Sequence, residues 1–205
     1  MIRTRLLAMA VCGAAVLSAG EPLRQGDRDF ALSSLHATSK LFLDSIAGLS
    51  AEQVNFKSAP DRWSIAECAE HIALSEDLIS QRGKSTLQQA ADESKVASAE
   101  EARKKDQMIL DGVVDRTNKF KAPEPLQPKR TFATVQQAAE HFKKARNANI
   151  DYIRTTHDEL RSHFATHPAL GSIDVYQWFL LMSAHSERHT RQIEEVKADP
   201  NFPKK

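Results

Sequence analysis

Apolar residues recur at alternating spacings of three and four in four segments of the chain, which is the periodicity of one buried face of an α-helix. The apolar positions are Leu32, Leu35, Phe42, Ile46 and Leu49 in the first segment, Ile65, Cys68, Ile72 and Ile79 in the second, Val135, Ala139, Phe142, Ile153 and Leu160 in the third, and Val175, Trp178, Met182, Ile193 and Val196 in the fourth. Four amphipathic helices of this length predict an all-α fold, a four-helix bundle.

Turn and capping residues bound the first two helices. The first ends at Gly48. Ser64 and Glu67 form a capping box, in which the hydroxyl and the carboxylate satisfy free backbone N–H groups at the start of a helix. The second helix therefore begins there and runs to about Gln81, with Gly83 as its stop.

The connection between the second and third helices is long. Residues 84–97 are polar and predict a loose segment, and a second Ser-x-x-Glu box predicts a short extra helix from Ser98 to about Asp111. Three prolines then exclude a helix interior and predict an extended crossing of the surface, at Pro123, Pro125 and Pro128.

Polar residues interrupt the inner stripe of the third helix, which opens at Thr134. Arg146 and Asn149 fall on that stripe, and polar groups on an inner face need partners. They are candidates for substrate contacts, and buried structural hydrogen bonds are the alternative. The last helix follows Gly171 and ends before Pro200.

Composition supports helices and excludes several partners. The chain has 205 residues, 41% of them apolar, with 7 Gly and 8 Pro, which suits one domain with a real core. Its 28 Lys and Arg face 27 Asp and Glu. Because there is no basic excess, we expect no nucleic acid and no anionic membrane surface as a partner.

Residues 1–20 have the pattern of a bacterial secretory signal peptide. Arg3 and Arg5 precede the uncharged run Leu6 to Ala19, and cleavage is expected after Gly20, with cleavage after Ala19 as the alternative. As a helix the run would reach about 21 Å, short of the ~30 Å core of a bilayer, so we expect cleavage and no membrane span afterwards. The sequence predicts export to the periplasm or the extracellular space.

Cleavage changes the charge and the cysteine count. It leaves 26 basic against 27 acidic side chains, a net charge of −1, and it leaves Cys68 as the single cysteine. No intramolecular disulfide can then form, so stability must come from packing or from a bound metal.

Two histidines of the last helix, His185 and His189, lie one turn apart on the same face. That face continues the Trp178, Met182 and Ile193 stripe, so both imidazoles are predicted to point inward, where they can share a metal ion. His71 lies near the inner face of the second helix, as a third ligand or as a core histidine bonded to a backbone or carboxylate group. The other histidines are predicted to lie on the surface: His36, His141, His157, His163 and His167.

Three stretches of the sequence, residues 48–50, 62–72 and 185–193, carry a family pattern. They read GLS, RWSIAECAEHI and HSERHTRQI, and together they resemble the DinB/YfiT-like superfamily over about residues 27–203. The resemblance implies one domain, residues 27–199, folded as an up-down-down-up bundle. It also implies a divalent metal held by His71, His185 and His189. Members include bacillithiol S-transferases, a mycothiol-dependent maleylpyruvate isomerase and many proteins of unknown activity.

Three neutral imidazoles leave a coordination position open, which is typical of catalytic sites. Imidazole ligands suit zinc, nickel, iron and copper. We expect a divalent transition metal: zinc, nickel, iron or manganese. We expect a metal-dependent thiol S-transferase or hydrolase acting on an unknown small molecule. The alternatives are a non-catalytic metal-binding protein of the cell envelope and a purely structural bundle, and apolar helix faces are compatible with a homodimer.

Further residues near the histidines have either a role at this site or a structural one. Glu67 could accept the free N–H of His71, although its capping role is a sufficient reason for it. Arg188 either flanks the mouth of the site or is solvated. Cys68 has a spacing compatible with ligation together with His71, but a buried cysteine is usually a small hydrophobe. Trp63 and Trp178 are predicted to be packing anchors.

Overall fold

The computed structural model describes residues 22–204. Its helices and strands, in chain order, are α1 (Gln25–Ile46), α2 (Ala51–Asn55), α3 (Ile65–Thr86), α4 (Ala99–Val114), α5 (Val135–Thr155), β1 (Phe164–His167), β2 (Gly171–Asp174) and α6 (Val175–Lys197). Short 3₁₀ turns span Glu93–Lys95 and Glu124–Leu126. The all-α class is therefore confirmed, and the predicted signal peptide lies outside the described residues.

The four long helices pack as a bundle. α1 and α3 each contact both α5 and α6. In the bundle, α5 and α6 therefore lie between α1 and α3. α4, the predicted extra helix, packs on α6. The up-down-down-up order of helix directions stays a prediction. Within residues 22–204, no helix has the length and apolarity needed to cross a bilayer.

A buried polar layer divides the core into two apolar clusters. One cluster surrounds Leu35, Ile150 and Phe179, and the other surrounds Phe42, Ile72 and Ile193. Thr38 lies between them on α1, Glu76 on α3, and Arg146 on α5. The polar layer therefore crosses the bundle at one level.

The helix boundaries differ from the predicted ones in two places. α3 does not stop at Gly83 but continues to Thr86, since Gly83 is buried against Trp178 and Phe179. Tertiary packing there outweighs the ~1 kcal/mol that glycine costs inside a helix. α5 ends at Thr155, and Leu160 is buried in the connection that follows rather than on the helix.

An antiparallel hairpin that the sequence reading missed leads into α6. β1 pairs with β2 from Phe164 opposite Asp174 to His167 opposite Gly171. Gly171 has φ +70°, the left-handed conformation that glycine adopts without strain. Asp174 ends the hairpin and caps α6 through a capping box with Gln177. The hairpin thus fixes where the helix that carries two of the histidines begins.

Candidate metal centre

His71, His185 and His189 converge inside the bundle. Ser64 and Glu67 form the predicted capping box, which places His71 in the second turn of α3. The Nε2 atom of His71 lies 3.2 Å from that of His185 and 3.1 Å from that of His189. All three ligand atoms lie within 4.8 Å of one another, close enough to share one ion.

Two of the three histidines are buried, and His185 is half-buried. His71 is 2% exposed and His189 is 9% exposed. The indole of Trp63 lies 4.8 Å from the His71 ring and stacks on the His189 ring at 6.0 Å. Burial lowers the pKa of His71 to about 4 and the pKa values of His185 and His189 well below the ordinary value. At neutral pH the rings are therefore uncharged, which is the form that binds metals.

The partners of the Nδ1 atoms assign the tautomers of two rings. His71 Nδ1 lies 2.7 Å from the carbonyl oxygen of Leu126, and a carbonyl can only accept. His189 Nδ1 lies 2.9 Å from Gln192 Oε1, and Arg116 donates to the same oxygen. Both Nδ1 atoms therefore carry the hydrogen, and both Nε2 atoms present lone pairs.

Two lone pairs thus face each other between His71 and His189 at 3.1 Å. This contact is repulsive unless a cation lies between the nitrogens, and burial disfavours a proton in that place. A divalent metal satisfies both atoms. The spacing is close to the ~3.3 Å that tetrahedral bonds of about 2.0–2.1 Å require. The donor set therefore fits a metal ion.

Among the described residues, the hydrogen bonds of the Glu67 side chain go to Ser64 and Lys57 and not to His71. Its carboxylate accepts from the Ser64 backbone N–H and from Lys57 Nζ, so it acts as the helix cap. Leu126, in the second 3₁₀ turn, orients His71 instead. Its carbonyl has no side-chain signature, and it lies 55 residues away in sequence, so the sequence reading missed it.

Arg146 and Asn149 belong to the buried polar layer and not to an open site. Arg146 has no exposed surface and forms a two-point ion pair with Glu76. Asn149 donates to the same carboxylate and accepts from Ser80. The geometry therefore corresponds to the structural alternative, because a substrate in solvent cannot reach the guanidinium.

Arg188 is buried rather than solvated, and it holds the end of α4. It is 9% exposed and donates to the carbonyl oxygens of Val113, Asp115 and Asn118. Three backbone acceptors on one guanidinium fix the chain where it leaves the helix. Arg188 thereby anchors the start of the crossover between α4 and α5.

The remaining predicted residues fall on structural positions. Cys68 is buried among apolar side chains, and burial raises the pKa of its thiol, so it stays protonated. His36 and His157 are exposed, and His141 is exposed beside Asp77. Contrary to expectation, His163, which precedes β1, and His167, the last residue of β1, are half-buried; His167 packs edge-on against Trp178, which forms part of the core.

A surface cleft of about 350 Å³ shares two residues with the histidine surroundings. Trp63 and Gln192 line the cleft and also contact the imidazoles, and Arg62 and Glu195 line it as well. A small molecule in the cleft would be separated from the three histidines by the side chains of Trp63 and Gln192.

Comparisons with known proteins identify the family of the chain. The family model of the DinB superfamily matches residues 34–193, a range that includes all three histidines. The chain is 27% identical over 154 residues to "Uncharacterized protein YuaE" of Bacillus subtilis (strain 168), covering 75% of this chain and 89% of that protein. No solved structure matches. The chain belongs to the DinB superfamily.

Proposed function

We propose that this protein binds a divalent transition metal through the Nε2 atoms of His71, His185 and His189. The observation that carries the proposal is the 3.1 Å contact between two nitrogen lone pairs, on His71 and His189, in a buried place. An imidazole pair in this arrangement needs a cation, and the third imidazole completes a ligand set for one.

Residues around the ligands prepare them for this role. The Leu126 carbonyl and the Gln192 side chain hold the Nδ1 hydrogens, so the Nε2 atoms point at a common position. Trp63 covers two of the rings and keeps water from competing for their lone pairs. Such outer partners fix the ring orientation and raise the affinity of the ligands.

The proposed reaction class is thiol S-transfer or hydrolysis on a small molecule. Three neutral ligands leave the ion its full charge and an open position, where it lowers the pKa of a water or a thiol. The cleft lined by Trp63 and Gln192 supports this class because both residues also contact the imidazoles, so a small molecule held there would lie next to the site. Zinc, nickel, iron and manganese are the candidate metals.

A non-catalytic metal-binding protein of the cell envelope is the second candidate. The basic and apolar pattern of residues 1–20 supports export, and many cellular thiols used by S-transferases are cytoplasmic. The two candidates share the metal and differ in turnover. Mass measurement of the protein recovered outside the cytoplasm tests export, and a chain that retains residues 1–20 there would contradict the cleavage.

Metal content is the first test. Protein purified without an affinity tag and reconstituted with zinc or nickel is expected to hold about one equivalent by elemental analysis. His185→Ala should lose the ion, and His141→Ala, which removes an exposed histidine, should keep it. Less than about a tenth of an equivalent in the reconstituted wild type would overturn the proposal.

Turnover then separates the two candidates. The loaded protein is assayed against low-molecular-weight thiols with electrophiles and against esters and amides. Product formation that disappears in His185→Ala supports an enzyme. Full metal binding without turnover across the panel favours the envelope protein.

A further inference from the structure

Glu70, the residue before His71, is a buried carboxylate with an unusual set of partners. It is 5% exposed, and it accepts the backbone N–H groups of Lys129, Arg130 and Thr131 at 2.9–3.0 Å. Three consecutive N–H groups around one anion form a nest, a recognised anion-binding arrangement of the backbone. Glu70 therefore binds the crossover segment, residues 115–133, to α3.

We call Glu70 together with the backbone of residues 129–131 the latch. The backbone of the latch is strained. Arg130 has φ 62°, a left-handed conformation that residues other than glycine rarely adopt. Such a conformation persists where surrounding contacts hold it, and here the carboxylate accepts from that residue and from both neighbours. The latch thus stores strain that would relax without Glu70.

The latch lies a short distance along the chain from the carbonyl that orients His71. Leu126 is three residues before Lys129, and its side chain is 8% exposed. The 3₁₀ turn that contains Leu126 contacts α3. Glu70 and His71 therefore bind two points of the same segment from consecutive positions of one helix.

We propose that Glu70 is a positioning residue for the metal centre: it holds residues 129–131 so that the Leu126 carbonyl keeps the hydrogen of His71 on Nδ1 and the Nε2 lone pair available. This inference rests on the proposed metal-binding function for its purpose. The tautomer that it predicts exists in the metal-free protein, so it can be tested separately.

The test compares three variants. Glu70→Ala removes the latch, and Glu70→Gln keeps one oxygen, which can still accept from Lys129 and Thr131. Asp106→Asn is the matched control, because Asp106 is also a buried carboxylate with three hydrogen bonds, from Arg161 and Gln177, near the first turn of α6. None of these three hydrogen bonds reaches the crossover segment.

The first readout is the ¹⁵N spectrum of the imidazoles in metal-free protein. Wild type and Asp106→Asn should show His71 with its hydrogen on Nδ1, and Glu70→Ala should show a mixture with the hydrogen on Nε2. The second readout is zinc affinity by chelator competition, expected to weaken 10- to 100-fold in Glu70→Ala and to stay unchanged in the control. Glu70→Gln should fall between them.

A merely structural role predicts a different result. Glu70→Ala would then lower the melting temperature as Asp106→Asn does, while the His71 tautomer stays on Nδ1 and the zinc Kd stays within twofold, and that result overturns the proposal. If Glu70→Ala does not fold, an unchanged His71 tautomer in Glu70→Gln together with an unchanged zinc Kd overturns it. If wild type binds no zinc, the metal proposal fails, and the tautomer comparison still decides the role of Glu70.

Discussion

The bundle holds two buried polar clusters that solve the same electrostatic problem differently. In the layer around Arg146 and Glu76, both side chains are fully buried and their charges cancel. Thr38, Ser186 and the Leu35 carbonyl accept the remaining guanidinium hydrogens. In the histidine cluster, the Nε2 lone pair of His71 faces the Nε2 lone pair of His189, and neither nitrogen has a hydrogen to donate. The first cluster is complete within the chain, and the second requires an ion from outside.

The difference shows how to separate structure from function among buried polar residues. Both clusters lie on inner helix faces, so burial alone does not distinguish them. The balance of donors and acceptors does. A cluster in which every donor has an acceptor contributes to specificity of packing. A cluster in which two lone pairs face each other is a candidate site for a cation.

The largest expected effect comes from breaking the self-contained cluster. Glu76→Ala leaves the Arg146 charge buried without its partner and should lower the free energy of unfolding by about 3–5 kcal/mol. Urea denaturation measures the loss. The double variant Glu76→Leu with Arg146→Met should recover part of it, because no charge then stays buried. A double variant as unstable as the single one would contradict this account.

Acid should destabilise the metal-free protein through the other cluster. The pKa of His71 falls from 6.5 to about 4 on folding because of burial, so the unfolded chain binds the proton more readily between these values. The free energy of unfolding should therefore drop as the pH falls from about 6.5 to about 4, by about 3 kcal/mol from His71 alone. Urea denaturation at pH 7 and pH 4, with chelator present, measures the drop. His141→Ala should leave it unchanged, whereas a flat wild-type profile would contradict the buried neutral state.

Metal addition should stabilise the fold by a comparable amount. At a free ion concentration of about 100 times Kd, the free energy of unfolding should rise by about 2.7 kcal/mol, because the ion binds the folded state. Thermal unfolding with and without zinc measures the rise. His185→Ala should show no rise, and an equal rise in that variant would place the ion elsewhere.

Loss of a side chain that orients a histidine ligand should weaken the binding of the ion without unfolding the protein. Gln192→Ala removes the acceptor that orients His189, and we expect about a tenfold weaker zinc affinity, about 1.4 kcal/mol. Chelator competition measures it. The free energy of unfolding of the metal-free variant should change little, because Gln192 is half-buried.

The smallest effect should come from the helix cap beside the site. Glu67→Ala removes one half of the capping box and should cost about 1 kcal/mol of stability with zinc affinity unchanged. A weaker zinc affinity in this variant would instead give Glu67 a role toward His71. Together with Gln192→Ala, it separates stability from binding on the two helices that carry the ligands.

Sequence periodicity predicted the long helices and brought attention to the three histidines, because both depend on local spacing. It also marked Arg146 and Asn149 as inward-facing polar residues, yet it could not supply Glu76 as their partner, which lies 70 residues from Arg146. Gly83 illustrates a different limit: a local stop signal is overridden where Trp178 packs on it. The carbonyl of Leu126 carries no residue preference at all, so a backbone contact of this kind follows only from the fold.

The separation between the ligands has a consequence for when the site forms. His71 and His185 are 114 residues apart, so their nitrogens meet only after α3 and α6 have docked. Closing so long a loop belongs to the later stages of folding. A chain that crosses a membrane unfolded would thus acquire its ion on the far side, and the compartment in which folding ends would decide which metal is available to it.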